Sequence, residues 1–155
     1  MMKRYRSILA CLVALVAVFV VSCGSAEVAA PPTYTTTQLQ QIQKYDTTIS
    51  ALRDRMTGEL QTSISQRDWV NVDNFIHGPL GTMLQEMNYA IRNLLPDDQP
   101  AARKLAKELF NDLVKVGEAA EVADQRSTQT SYQQALQDVD NFLELLPKLE
   151  QSAES

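Results

Sequence analysis

Residues 36–65 read TTQLQQIQKYDTTISALRDRMTGELQTSIS, and their apolar side chains recur at every third or fourth position. That spacing places the apolar side chains on one face of an α-helix. The face consists of Leu39, Ile42, Tyr45, Ile49, Leu52, Met56, Leu60 and Ile64. One apolar helix face needs partners to cover it, so the segment predicts a helical bundle. Three threonines at 35–37 offer N-caps for its start.

Three more segments repeat this periodicity. The second spans residues 68–95, with Asp68 as its cap and Pro96 as its stop. The third opens at Pro100, a favoured first-turn residue, and continues to about residue 124. The fourth runs from Ser127 or Thr128 to about residue 149, with its apolar face at Tyr132, Leu136, Val139, Leu143, Leu146 and Leu149. Short connections force consecutive helices antiparallel, so the expected class is all-α, an up-down-up-down four-helix bundle.

One segment inside the second pattern conflicts with a regular helix. Residues 77–81 read HGPLG. A proline within a helix cannot donate its backbone hydrogen bond, and each glycine weakens the helix by up to about 1 kcal/mol. We therefore expect a kink or a short break there.

The N-terminus has the pattern of an export signal that ends in a lipidation site. A basic segment at 3–6 precedes a charge-free apolar run at 8–21, and VVSCG follows at 20–24. This ending resembles a bacterial lipobox, in which the chain is cut before the cysteine and that cysteine takes a diacylglycerol. The alternative, an uncleaved transmembrane helix, needs about 20 apolar residues, more than this run supplies. The sequence therefore predicts lipid attachment at Cys23.

These segments give the expected organisation of the chain. Residues 1–22 form a lipoprotein signal peptide, 23–35 a lipid anchor with a short Pro-containing tether, 36–150 the bundle and 151–155 a tail. Removing the signal leaves 11 basic and 19 acidic side chains, a formal charge of −8. Such an acidic domain is a poor partner for nucleic acid, whose phosphates need a basic surface.

The small numbers of histidine and cysteine residues argue against an enzyme. The chain has one histidine and two cysteines, of which Cys11 lies in the signal and Cys23 at the lipidation site. The sequence contains no Glu-x-x-His pair for a di-iron bundle, no haem attachment motif, no phosphate-binding glycine loop and no nucleophile elbow. We therefore expect a protein that is not an enzyme and requires no cofactor.

Two groups of polar residues remain as candidate binding sites. Asp73 and His77 are one helical turn apart and could bind zinc weakly, although two ligands do not complete a site. The alternative function is therefore an exported lipoprotein that binds a metal such as zinc, or a small ligand, on the bundle surface. An ordinary surface pair is the alternative. The second group is a basic cluster expected at the end of the bundle that also carries the tether; it consists of Arg92, Arg103, Lys104 and Lys107. This cluster could contact anionic lipid head groups or an acidic partner, or it could be ordinary surface charge.

The chain resembles the PsbQ family, most closely its cyanobacterial lipoprotein form. Three segments carry the resemblance: YDTTISALRDRM at 45–56, RDWVNVDNFIHGPLG at 67–81 and the closing segment at 132–147. The resemblance implies a non-catalytic extrinsic subunit that stabilises photosystem II and its oxygen-evolving side on the lumenal face of the thylakoid membrane. It also implies two neighbours, the manganese-stabilising protein and a chlorophyll-binding core antenna subunit. Plant members have transit peptides in place of the lipobox, so only Cys23 is carried over as a functional position.

Overall fold

The computed structural model describes residues 33–148, and every regular element within them is a helix. Helix α1 covers residues 36–66, α2 residues 69–93, α3 Gln99–Glu121 and α4 Gln125–Leu145. The predicted all-α class with four helices is confirmed. The predicted signal peptide, Cys23 and the tail at 151–155 lie outside the described residues.

The helix starts follow from side chains that accept the first free backbone N–H groups. Thr35 and Gln38 form a reciprocal capping box at the start of α1. Asp68 accepts a hydrogen bond from the backbone N–H of Asn71 at 3.2 Å and caps α2, as the sequence predicts. Pro100 occupies the first turn of α3.

Both predicted ends of α4 were wrong by a few residues. The cap is Asp124, whose Oδ1 accepts the backbone N–H groups of Arg126 and Ser127 at 3.1 Å each, so the helix begins before Ser127. The helix ends at Leu145 rather than near residue 149, because Leu146 precedes a proline and adopts an extended conformation with ψ 133°.

Contacts between the helices establish the antiparallel order. Arg53 near the middle of α1 contacts Asp140 of α4, whereas Arg67 after the end of α1 contacts Gln125 at the start of α4. The other neighbouring pairs, α1 with α2, α2 with α3 and α3 with α4, are antiparallel as well. The chain therefore folds up-down-up-down, and the end of α2 meets the starts of α1 and α3.

The core follows the predicted stripes with one notable addition. Almost all the central stripe positions of α1 and α2 are buried. On α4, however, Phe142 is fully buried while the predicted Leu143 is only partly buried beside it. The buried Tyr132 donates its hydroxyl hydrogen to the carbonyl oxygen of Met56 at 3.2 Å, so its polar end is satisfied within the core.

A kink or a short break was expected at residues 77–81; the regular α-helix is interrupted there, but the chain stays helical. The helix continues through a five-residue π-helical turn, Ile76–Leu80, and Pro79 lies inside it. A π-turn inserts one extra residue into a helix, so the irregularity that Pro79 imposes is absorbed locally. A second π-turn, Met56–Leu60, lies in α1 and was not predicted from the sequence.

None of the helices in the described part of the chain carries an apolar stretch long enough to cross a bilayer.

Candidate functional site

The four predicted docking cations lie at one end of the bundle. Arg92 is at the end of α2, and Arg103, Lys104 and Lys107 are in the first turns of α3. All four side chains are exposed. This placement gathers four cations at one end of an acidic protein, where Asp97 and Asp98 partly offset their charge.

Local contacts divide these four cations into two pairs. The guanidinium of Arg92 lies 5.3 Å from the ring centre of Tyr89, and Lys104 Nζ lies 3.5 Å from Glu108 Oε1. Arg103 and Lys107 instead line a groove between α2 and α3. The four cations therefore do not converge on one pocket but present two neighbouring surfaces.

Tyr34 links the start of the bundle to the same basic end. Its hydroxyl donates a hydrogen bond to Asp98 Oδ2 and accepts one from the backbone N–H of Leu95 at 3.2 Å. Burial and the hydrogen bond to Asp98 raise the pKa of Tyr34, so it stays a neutral donor. Sequence analysis placed Tyr34 in the tether and missed this contact; its one signal was an aromatic residue directly before the capping threonine.

The predicted metal pair forms a contact of its own. His77 Nε2 lies 3.3 Å from Asp73 Oδ1, and both side chains are mostly exposed, at 77% and 60%. Within residues 33–148, no group of three or more His, Cys, Asp or Glu side chains is arranged to hold a metal ion. Zinc binding by this pair therefore stays a prediction that needs water or a neighbouring molecule to complete the coordination.

A carboxylate cluster between α3 and α4 was missed by sequence analysis. Oδ2 of Asp138 is buried and accepts no hydrogen bond from the described residues. Burial, together with the negative charges of Asp112 and Glu108, raises the pKa of Asp138 to about 6, and Lys115 partly opposes this rise. Lys115 itself lies 2.5 Å from Asp112 Oδ1. Asp138 therefore loses its proton near pH 6, and the free energy of unfolding depends on pH below that value.

The two π-turns line one open groove of about 820 Å³ between α1 and α2. The guanidinium of Arg55 lies 5.4 Å from the centre of the Phe75 ring and pairs with Glu59 at 2.8 Å. The groove is therefore lined by both polar and apolar side chains.

Comparison with known proteins assigns the family. The model of the PsbQ family, described as oxygen evolving enhancer protein 3, matches residues 3–147. The protein CyanoQ of Synechocystis sp. is 40% identical over 147 residues, which is 95% of this chain and 99% of CyanoQ. A match of this extent covers all four helices as well as most of the segment before them. The chain therefore belongs to the PsbQ family, whose members are extrinsic subunits of photosystem II.

Proposed function

We propose that this protein is a non-catalytic, lipid-anchored extrinsic subunit that stabilises photosystem II and its oxygen-evolving side on the lumenal face of the thylakoid membrane. The observation that carries the proposal is the family match over residues 3–147, supported by the 40% identity to CyanoQ. The proposed neighbours are the manganese-stabilising protein and a core antenna subunit. No cofactor is needed for this role, because a stabilising subunit acts by binding.

The lipid anchor at Cys23 explains how such a protein stays at the membrane. Residues 24–34 can reach at most about 40 Å when fully extended, at about 3.3–3.6 Å per residue. An anchored bundle therefore works close to the membrane surface. A single acyl chain anchors only marginally, whereas the two or three chains of a bacterial lipoprotein hold durably.

The basic end is the proposed surface for docking on photosystem II or on anionic head groups. The four exposed cations Arg92, Arg103, Lys104 and Lys107 lie at the end of the bundle where α1 begins. Since the chain is acidic elsewhere, this end is where an acidic partner or lipid would be attracted.

Affinity purification tests both the function and the docking surface. We expect the tagged protein, captured from detergent-solubilised thylakoids, to carry photosystem II subunits identified by mass spectrometry. Because electrostatic contacts are screened by salt, Arg92→Glu with Lys104→Glu should lower this recovery severalfold at low salt and less at high salt. These two residues are chosen because they do not line the α2–α3 groove.

The matched control reverses two exposed cations at the opposite end of the bundle, Arg67→Glu with Arg126→Glu, and should leave the recovery unchanged. Capture of the wild-type protein without photosystem II would contradict the proposed function. An equal loss of recovery for both double variants would contradict the docking surface but not the proposed function.

A second candidate function is zinc binding, favoured by the 3.3 Å contact between Asp73 and His77 on an exposed helix face. Calorimetric titration with zinc should then give stoichiometric heat that His77→Ala abolishes and that Asp54→Ala, at an exposed carboxylate elsewhere on the bundle, leaves intact. Heat that appears only at millimolar zinc, or that survives His77→Ala, would rule out this site.

A further inference from the structure

Helix α3 has an exposed seam along the side that borders α2. Its residues are spaced four, three, four, three and four apart, the spacing of a helix that packs against another helix. They are Arg103, Lys107, Phe110, Val114, Gly117 and Glu121. The seam is about 27 Å long at 1.5 Å per residue. The seam faces solvent over most of its length, with only Gly117 partly buried, so it is accessible to a further partner.

The middle of this seam is apolar. Phe110 is 53% exposed and Val114 is 42% exposed, and both are among the few large apolar side chains left outside the core. They lie one turn apart and form a single projecting ridge. A ridge of this kind is stabilised when another apolar surface removes it from water.

Beside the ridge lies a space that two glycines keep open. A groove of about 340 Å³ is bordered by Gly81 of α2 and by Gly117 of α3. A Cβ atom at Gly81 would meet nothing within 4 Å, and one at Gly117 would meet only Ile76 Cδ1 at 3.9 Å. Glycine weakens a helix, and no contact within the described chain requires it at either position. The ridge thus adjoins a recess of the kind that receives a large side chain.

The charges at the two ends of the seam oppose the dipole of α3. Arg103 and Lys107 lie near its N-terminus, whereas Glu118 and Glu121 lie near its C-terminus. A helix is stabilised by the reverse distribution. Within residues 33–148, none of these four side chains forms an ion pair. Asp97 and Asp98, directly before the first turn of α3, offset part of this unfavourable distribution, and no ion pair among the described residues compensates the rest.

We propose that two copies of this protein pair through this seam, with the two α3 helices antiparallel and a twofold axis between them. In that arrangement Arg103 of one copy faces Glu121 of the other, and Lys107 faces Gly117 with Glu118 beside it. Phe110 faces Val114 and enters the recess above Gly117 and Gly81. Each contact occurs twice because the interface is isologous.

The antiparallel pairing accounts for all three features of the seam together. It brings each basic N-terminal end next to an acidic C-terminal end, so the charges that oppose the dipole within one copy are compensated by the other. It also fills the glycine recess with the phenylalanine that projects beside it. An unrelated partner would need to reproduce this pattern of charge, ridge and recess, whereas a second copy has it already.

The interface is small, so the dimer is expected to be weak. A seam of this length with two large apolar residues falls at the low end of specific interfaces in size. Anchoring both copies to one membrane raises their effective concentration and favours the pair. Dimer formation does not depend on binding to photosystem II.

Charge exchange tests the arrangement directly. We expect the full chain, purified from membranes in mild detergent, to show a concentration-dependent dimer by native mass spectrometry. Arg103→Glu and Glu121→Arg should each weaken it at least about tenfold, since each substitution places like charges together twice. The variant that carries both substitutions should recover wild-type affinity within about threefold, because every pair is then restored with its signs exchanged.

Gly81→Leu tests the recess separately. The added side chain points into open space, so the fold should be retained by circular dichroism while dimerisation falls at least about tenfold. As a control, Glu144→Gln removes an exposed charge on α4 and should leave dimerisation unchanged. A protein that stays monomeric at all concentrations, a dimer that the double charge exchange does not restore, or one that tolerates Gly81→Leu would each overturn the proposal.

Discussion

Replacing Cys23 by serine is expected to move nearly all of the protein from the membrane fraction to the soluble fraction or to leave an uncleaved precursor. Serine cannot form the thioether that holds the diacylglycerol. Each buried methylene of an acyl chain contributes about 0.8 kcal/mol of membrane binding, so the loss of two or three chains removes the anchor altogether. Fractionation of membranes followed by intact-mass measurement of the protein checks this result.

Cys11→Ser is the matched control for the anchor. Cys11 lies in the predicted signal peptide, so its replacement should leave both the lipid mass and the membrane association of the mature protein unchanged. An unaltered lipid mass on the Cys23→Ser protein would refute lipidation at this cysteine. It would leave the family assignment intact, since that rests on the whole chain.

Replacing Asp138 by asparagine is expected to stabilise the fold above about pH 6. Asp138 has a pKa of about 6 in the folded chain and about 3.9 in an unfolded one. Between these values the folded state holds a proton that the unfolded state has lost, so the free energy of unfolding of the wild type falls as the pH rises. The full shift would correspond to about 3 kcal/mol, and screening of this partly exposed side chain by solvent reduces it to about 1 kcal/mol.

The measurement is urea unfolding at pH 4, 5, 6, 7 and 8. The Asp138 contribution to wild-type stability should fall between about pH 4 and pH 6 and then level off, and the Asp138→Asn variant should lose about 1 kcal/mol less, because its amide carries no charge next to Asp112 and Glu108. Glu144→Gln removes a carboxylate from the same helix away from the cluster and serves as the control. Parallel pH profiles for the wild type and Asp138→Asn would show that the cluster does not control the pH dependence.

The periodicity of the apolar residues was enough to predict the class and the number of helices. It succeeded because one buried face per helix is a local property, and because capping residues such as Asp68 and first-turn residues such as Pro100 act on their own neighbours. The start of α4 shows the limit of this reasoning. Its start was predicted at Ser127 or Thr128, with residue 124 assigned to the end of α3, whereas the backbone geometry makes Asp124 the cap of α4.

Only the tertiary structure showed which of two adjacent residues is buried. Phe142 and Leu143 both fit a helical stripe on α4, but the packing of α4 against its neighbours buries Phe142 completely. Likewise, Pro79 predicted an irregularity in α2 without indicating that the chain would form a π-turn instead of a break. These outcomes depend on which side of the helix its partners occupy.

By itself, the sequence determined that the described chain is an acidic four-helix protein with one histidine and a basic cluster near the start of α3, because composition and helical periodicity are properties of short segments. Only the tertiary structure brought Asp138 next to Asp112, tied Tyr34 to Asp98 and placed Gly81 beside Gly117 at the exposed ridge of Phe110 and Val114. These residues are far apart along the chain, and the packing angle and register of two helices decide which of them meet.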